Sequence, residues 1–155
     1  MARAGESHGA TDGAFGLRRA YARAGRTGPG PGLNYPGHGM RARVTRCFSF
    51  EAAHHLPWHP GRCRRLHGHH YRLEVTVEGP LGDHGVVMDF DDLSTVVERE
   101  VVEPWDHQLL NDLIENPTAE LLAQEAWKRL EAAGLNVVGL RLWETPDSAV
   151  ELTPG

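Results

Sequence analysis

Three histidines in the segment RCRRLHGHHYRLEV, residues 62–75, have a spacing that could bind a metal ion. In a β-strand, residues i and i+2 point to the same face, so His67 and His69 project together and His70 points the opposite way. His54 ends an earlier alternating apolar segment, and a return of the chain could bring it alongside. Three histidines with an open fourth position are typical of a catalytic zinc site. The pattern therefore favours Zn²⁺ bound by these three residues over ordinary hydrogen-bonded histidines.

Cys63 lies four residues before His67, and its spacing allows two roles. It could be a fourth metal ligand. It could also be a reactive thiolate that acts as a base, because Arg62, Arg64 and Arg65 make its surroundings electropositive. Spacing alone leaves both roles open.

The segment WDHQLLN places Asp106 next to His107. A carboxylate that orients an imidazole forms a useful acid–base unit, although two adjacent residues of an exposed loop often share no such contact. This pair is a second candidate for chemistry.

Glu144 lies on the apolar alternation of its predicted strand, together with Val138, Leu140 and Leu142. A carboxylate there needs a partner, since a buried unpaired charge is costly. That partner could be Arg72 or Arg141 within the chain, or the planar amidine edge of a bound pterin or guanine. Periodicity does not decide between them.

Alternation and helical stripes predict the elements that position these residues. Asp89 is the expected N-cap of the first helix, and Pro104 its expected end. Asn116–Pro117 opens the second helix, and Gly134 suits its C-terminal cap. The order is β-β-α-α-β-β, an α+β domain with antiparallel pairing. The predicted spans are strands at 42–53, 68–78, 138–142 and 149–152, and a helix at about 90–103 followed by a second one from 116.

Composition divides the chain of 155 residues at Met40. Residues 1–39 hold ten of the eighteen glycines and five arginines against two acidic residues, which predicts a disordered tail before a domain at 40–155. The formal charge of −5 therefore leaves −8 on the domain, a poor match for nucleic acid. No run reaches the roughly 18 apolar residues of a membrane helix. With only two cysteines, we expect a cytoplasmic protein.

Six ordered motifs resemble the 6-pyruvoyl-tetrahydropterin synthase family, and more closely its bacterial branch, the 6-carboxy-5,6,7,8-tetrahydropterin synthases of queuosine biosynthesis. The resemblance covers nearly all of 40–155 and none of 1–39. The short gap between Cys63 and the HGH motif favours the carboxy branch. The motifs are FSFEAAH, CxxxHGH, GVVMDF, WDHQLLN, NPTAE and WET.

The resemblance implies a role for each matching residue. His54, His67 and His69 correspond to the zinc ligands, and Cys63 to a proton-abstracting base. Asp106 and His107 correspond to a catalytic dyad. Glu144 corresponds to the pterin anchor. The remaining substrate contacts implied by the resemblance are Thr118 and Glu120 in the pterin pocket and Arg65 beside the triphosphate.

The same resemblance implies the tunnelling fold, a four-stranded antiparallel sheet with two helices on one face, assembled as a homohexamer of two trimers with active sites between subunits. It implies conversion of 7,8-dihydroneopterin triphosphate, a small-molecule partner, to 6-carboxy-5,6,7,8-tetrahydropterin, acetaldehyde and triphosphate. Two alternatives stay open. One is a 6-pyruvoyl-tetrahydropterin synthase, which eliminates triphosphate without cleaving the side chain. The other is a non-catalytic module that binds zinc or a pterin.

Overall fold

A computed structural model describes residues 39–82 and 84–155, so the predicted disordered tail lies outside the described residues apart from Gly39. The β-β-α-α-β-β order is confirmed. The strands and helices are β1 Arg41–His54, β2 His67–Pro80, α1 Phe90–Val97, a π-helical turn Glu98–Val102, α2 Glu103–Trp105, β3 Gln108–Leu109, α3 Ala119–Ala132, β4 Val137–Thr145 and β5 Ser148–Leu152. Two 3₁₀ turns lie at Arg62–Arg64 and Leu110–Asp112.

The five strands form one sheet in the order β3-β1-β2-β4-β5. All neighbours pair antiparallel except β3, which runs parallel to β1 with Ala52 opposite Gln108. The prediction of four strands was therefore wrong by one. With only two residues, β3 is too short to display the alternation by which a strand is recognised in a sequence.

One face of the sheet is buried against the helices, as predicted. Apolar side chains alternate along β1, β2 and β4 and meet the apolar stripes of α1 and α3, which is the arrangement expected for a two-layer α+β domain. The opposite face carries mostly charged and polar side chains and is exposed or half-buried. The buried face includes Phe48, Phe50, Tyr71, Leu73, Val75, Leu140 and Leu142, packed with Leu93, Val97, Leu122, Ala126 and Leu130.

The first helical segment begins where the sequence predicted but continues past Pro104. Asp89 is the N-cap, since its carboxylate accepts a hydrogen bond of 2.7 Å from the Asp91 amide. Proline has no N–H to bond to the Glu100 carbonyl four residues earlier. Arg129 from α3 donates to that carbonyl instead, at 3.4 Å, so the chain tolerates the proline within helical backbone.

The second long helix, α3, starts two residues later than Pro117. Thr118 is its N-cap, and the hydroxyl accepts from the Leu121 amide at 3.4 Å. Gly134 ends it with a φ of 96°, as predicted. The Gly134 and Leu135 amides bond to the carbonyls of Glu131 and Leu130, the pattern of a Schellman cap. No helix in the described ranges is long and apolar enough to span a bilayer.

Candidate active site

The first two strands bring His54, His67 and His69 together on the buried face. His54 ends β1 directly opposite His67 on β2, and His69 lies opposite Ala52. One ring nitrogen from each histidine lies within 4.8 Å of the others. His54 is 1% exposed, so this cluster sits at the floor of the site. His70 projects to the other face, where its Nδ1 pairs with the Glu51 carboxylate.

Backbone carbonyls fix which nitrogen of His54 and His67 carries the proton. The Nδ1 of His54 lies 2.8 Å from the Pro117 carbonyl, and the Nδ1 of His67 lies 2.7 Å from the Arg65 carbonyl. A carbonyl only accepts, so each Nδ1 donates, and each neutral ring presents a bare Nε2. These two Nε2 atoms face each other at 3.1 Å. Two lone pairs at that separation repel each other, and either a proton shared by the two rings or a metal ion bound to both would relieve that repulsion.

His69 supplies a third nitrogen, which is unpartnered. Its Nε2 is buried and has no hydrogen-bond partner among the described residues. Burial lowers the pKa of His69, an effect that the Glu144 carboxylate partly opposes, so the ring favours its neutral, ligand-competent form. Nitrogens bound tetrahedrally to zinc at about 2.0–2.1 Å lie about 3.3 Å apart. The 3.1 Å separation of the first pair and the orphaned third nitrogen therefore fit a zinc ion.

Cys63 lies in the 3₁₀ turn that leads into β2. Its side chain is half-buried and free of disulfide bonding. In the described part of the chain, the converging group of potential ligand atoms contains the three imidazoles and not this thiol. The geometry thus does not support Cys63 as a fourth ligand, and its role as a base stays a prediction.

Glu144 reaches the same cluster from β4. One carboxylate oxygen lies 3.4 Å from the Nε2 of His54 and 4.0 Å from that of His69. The side chain is 27% exposed, so the carboxylate borders both the histidines and solvent. Neither candidate arginine pairs with it, because the guanidinium groups of Arg72 and Arg141 lie 4.5 Å and 4.8 Å from the ring centre of Trp143.

Asp106 and His107 form the predicted pair, at 2.8 Å between the carboxylate and Nδ1. Glu51 of β1 fixes this pair, because its amide donates to the Asp106 carboxylate at 2.8 Å and its carbonyl accepts from the His107 amide. These hydrogen bonds, the one from Glu51 first, lower the pKa of Asp106 and keep it ionised. His107 has a φ of 58°, a conformation that non-glycine residues seldom adopt outside functional or tightly held sites.

One member of the dyad, His107, and one member of the histidine cluster, His69, border the same cavity, but the two groups do not touch. The cavity has a volume of about 460 Å³, and its lining includes His69, His107, Glu51 and His70. Within residues 39–82 and 84–155, no hydrogen bond or ion pair joins His107 to the three imidazoles. The His107 side chain is 77% exposed and points away from the protein's own core.

The three remaining predicted contacts are placed but not tested by the structure. The Thr118 hydroxyl caps α3, Glu120 is exposed in the first turn of that helix, and the Arg65 side chain is exposed before β2. Sequence reasoning missed the carbonyls of Pro117 and Arg65, because every residue carries a carbonyl. It also missed Glu51, whose backbone holds the dyad through pairing that only the fold creates.

Comparison with known proteins identifies the family. The family model described as 6-pyruvoyl tetrahydropterin synthase matches residues 43–154. A 6-carboxy-5,6,7,8-tetrahydropterin synthase from Haemophilus influenzae is 33% identical over 136 residues, covering 70% of this chain and 96% of the relative. A dihydroneopterin monophosphate aldolase from Pyrococcus furiosus is 39% identical over 119 residues, covering 73% and 98%.

A solved structure of similar fold is the 6-pyruvoyl tetrahydropterin synthase of Caenorhabditis elegans. It superposes with a TM-score of 0.67 at 22% identity, and the match covers 75% of this chain and 97% of that one. At that identity the likeness supports the fold alone, and it agrees with the predicted tunnelling fold. The extent of the family match and the identity to the curated relatives show that the chain belongs to the 6-pyruvoyl tetrahydropterin synthase family.

Proposed function

We propose that the protein is a zinc-dependent carbon–carbon lyase that converts 7,8-dihydroneopterin triphosphate and one water to 6-carboxy-5,6,7,8-tetrahydropterin, acetaldehyde and triphosphate. The observation that carries the metal part is the convergence of three imidazole nitrogens, two of them left bare by backbone carbonyls and the third without a partner. Support for the reaction comes from the relatives, several of which are named 6-carboxy-5,6,7,8-tetrahydropterin synthase. We place the product in queuosine or 7-deazapurine synthesis.

The metal would be held by His54, His67 and His69. When bound, zinc supplies a Lewis acid that favours ionisation of the substrate's side-chain hydroxyls and polarisation of a carbonyl. The three imidazoles leave a fourth position open to substrate, as a catalytic zinc site requires.

The protein's own groups would bind the pterin and move its protons. Glu144, with its carboxylate at the edge of the cluster, would accept two hydrogen bonds from the amidine edge of the pterin. The Cys63 thiolate would remove a proton from the side-chain carbon next to the ring. His107, oriented through Nδ1 by Asp106, would return or relay protons through its Nε2. Thr118, Glu120 and Arg65 would contribute contacts to the pterin and the triphosphate.

The separation of the two halves of the site supports a homo-oligomer. His107 is 77% exposed and makes no contact with the described histidine cluster of its own chain. A dyad in that position would serve the cluster of a neighbouring subunit, in the hexamer that the family resemblance implies. In such a hexamer, each active site would lie between subunits.

The proposed role of Cys63 is tested by Cys63→Ala. We expect turnover to fall by about 10²–10⁴-fold, the range of general acid–base effects, while zinc stays near one ion per chain. Cys47→Ala is the matched control, because Cys47 is also a free cysteine but is exposed on the polar face of the sheet. Zinc lost together with activity in Cys63→Ala would make this residue a ligand instead.

A second candidate activity is the aldolase cleavage for which the Pyrococcus furiosus relative is named. The match covers 98% of that relative and 73% of this chain. An aldolase acting on the monophosphate would break a carbon–carbon bond without eliminating phosphate. Parallel incubations with dihydroneopterin triphosphate and monophosphate separate the two. The lyase consumes the triphosphate and releases inorganic triphosphate, whereas the aldolase consumes the monophosphate and keeps the phosphate ester intact.

A further inference from the structure

Tyr71 has a buried hydroxyl that no described residue satisfies. Its side chain is 0% exposed, and its oxygen has no hydrogen-bond partner in the described part of the chain. Buried hydroxyl groups in proteins are normally bonded, since an unsatisfied one loses its hydration without compensation. An orphaned hydroxyl at this position therefore needs a functional explanation.

Tyr71 lies directly beneath the histidine cluster. Its ring centre is 5.6 Å from that of His69 and 6.2 Å from that of His54, with both contacts edge to face. The other side of the ring stacks on Phe50, with centres 5.0 Å apart. The ring is thus locked in place, and only the hydroxyl lacks a defined partner.

Tyr71 and Glu144 each lie one residue beyond the last pair of the β2–β4 ladder, which joins Arg72 and Trp143. Continuing that antiparallel register by one residue sets Tyr71 opposite Glu144. An ordinary phenol is protonated at neutral pH, so the Tyr71 hydroxyl can donate a hydrogen bond. A donor without a partner thus lies on the strand next to the one that carries the Glu144 carboxylate.

If a cation is bound by the histidines, the carboxylate of Glu144 is attracted both to that ion and to the amidine edge of the pterin. Its oxygen is already 3.4 Å from the Nε2 of His54, so a small movement would bring it into contact with the ion. A carboxylate that binds the ion cannot present both oxygens to a pterin. For Glu144 to anchor the pterin as proposed, another group must keep its carboxylate away from the metal ion.

We propose that Tyr71 is a positioning residue, whose hydroxyl donates to the Glu144 carboxylate in the metal-loaded protein and keeps it directed toward the pterin edge. This inference rests on the proposed function, in which Glu144 anchors the pterin. It accounts for the buried, unpartnered hydroxyl of Tyr71 at the site.

The test is a double-mutant cycle on the zinc-loaded protein, with Tyr71→Phe, Glu144→Ala and the double variant. Tyr71→Phe keeps the ring that packs on the histidines and removes only the hydroxyl. Fluorescence titration with pterin itself should show about tenfold weaker binding for Tyr71→Phe, the effect of losing a hydrogen bond to a charged group. In the Glu144→Ala background, the same change should add nothing, because its acceptor is gone.

Two further measurements separate this inference from the proposed function. In cobalt-substituted protein, the visible spectrum should shift on Tyr71→Phe as the carboxylate approaches the ion, and stay unshifted in the Glu144→Ala background. The denaturation midpoint should fall on Tyr71→Phe only when Glu144 is present. Wild-type protein that binds no pterin would contradict the pterin assignment of the proposed function, while the spectrum and the midpoint would still test the contact. A Tyr71→Phe variant with an unchanged spectrum and an unchanged or raised midpoint would overturn the inference.

Discussion

At the scale of single residues, the backbone decides how the histidines act. The carbonyls of Pro117 and Arg65 each accept a hydrogen bond from one Nδ1 and leave the opposite nitrogen facing the cluster. Hydrogen bonds of this kind fix the tautomer and orientation of metal-binding histidines. Strand alternation identified the three histidines and predicted that His70 points to the opposite face of the sheet. The carbonyl partners could not be identified, because every residue carries a carbonyl. Arg65 is close to His67 in the sequence, whereas only the folded chain brings Pro117 close to His54.

Replacing one imidazole should abolish tight metal binding. We expect His67→Ala to lower zinc from near one ion per chain to well below it, because two imidazoles leave too few protein ligands. His70→Ala is the matched control, on the same strand but with its side chain on the opposite face. Metal analysis of the two purified variants gives the answer, and equal zinc in both would place the metal elsewhere.

Asp106 should make stability depend on pH in the acid range. Its folded pKa lies below the ordinary value of about 3.9, so its stabilising effect is fully present above that value. It is lost as the pH falls through the folded pKa, because the unfolded state then binds the proton more readily. We expect Asp106→Asn to lower the urea midpoint at pH 7, and the gap from wild type to narrow below about pH 4. A gap that is constant with pH would contradict this.

At the scale of elements, the sequence predicted those strands and helix ends that depend on residues close together in the chain. The alternation of β1 and β2, the Asp89 cap and the Gly134 cap all follow from residues close in sequence. The short β3 and the passage of helical backbone through Pro104 were missed. Both depend on distant partners, Ala52 for the strand and Arg129 for the freed carbonyl of Glu100, so no local pattern marks them.

Gly134→Ala should destabilise the protein without affecting metal binding. The φ of 96° at this Schellman cap is a conformation that a side chain resists, and we expect a loss of about 1 kcal/mol. Gly139→Ala is the control, since its new Cβ would only reach ordinary contact with Thr76, at 3.4 Å. Denaturant titration of both variants measures the difference. An equal change at the two positions would show that backbone conformation is not the cause.

At the scale of the whole molecule, one sheet face supports the core and the histidine cluster while the other stays polar. Asp106 and His107 directly precede β3, the short strand at one edge of the sheet. Their side chains are exposed, and hydrogen bonds to the backbone of Glu51 hold the pair in place. Sequence motifs identified both groups, but the distance between them within one chain could not be inferred from spacing. The exposure of His107 and its lack of contact with the described histidine cluster of its own chain make assembly part of the proposed mechanism.

Removal of residues 1–39 should leave the chemistry unchanged. The candidate site residues all lie beyond this glycine-rich segment, and the family match begins at residue 43. We expect a chain starting at Met40 to bind zinc and turn over at the rate of the full chain. Comparison of zinc content and initial rates checks this, and a large loss of either would assign the segment a part in folding or assembly.

The most direct test of the central claim is product analysis with metal-free and zinc-restored protein. Chelator-treated protein and the same protein after addition of zinc are incubated with 7,8-dihydroneopterin triphosphate, and the products are identified by mass spectrometry. We predict 6-carboxy-5,6,7,8-tetrahydropterin, with acetaldehyde and triphosphate in equal amounts, only when zinc is present. Triphosphate release without acetaldehyde, or equal turnover with and without zinc, would contradict a zinc-dependent carbon–carbon lyase.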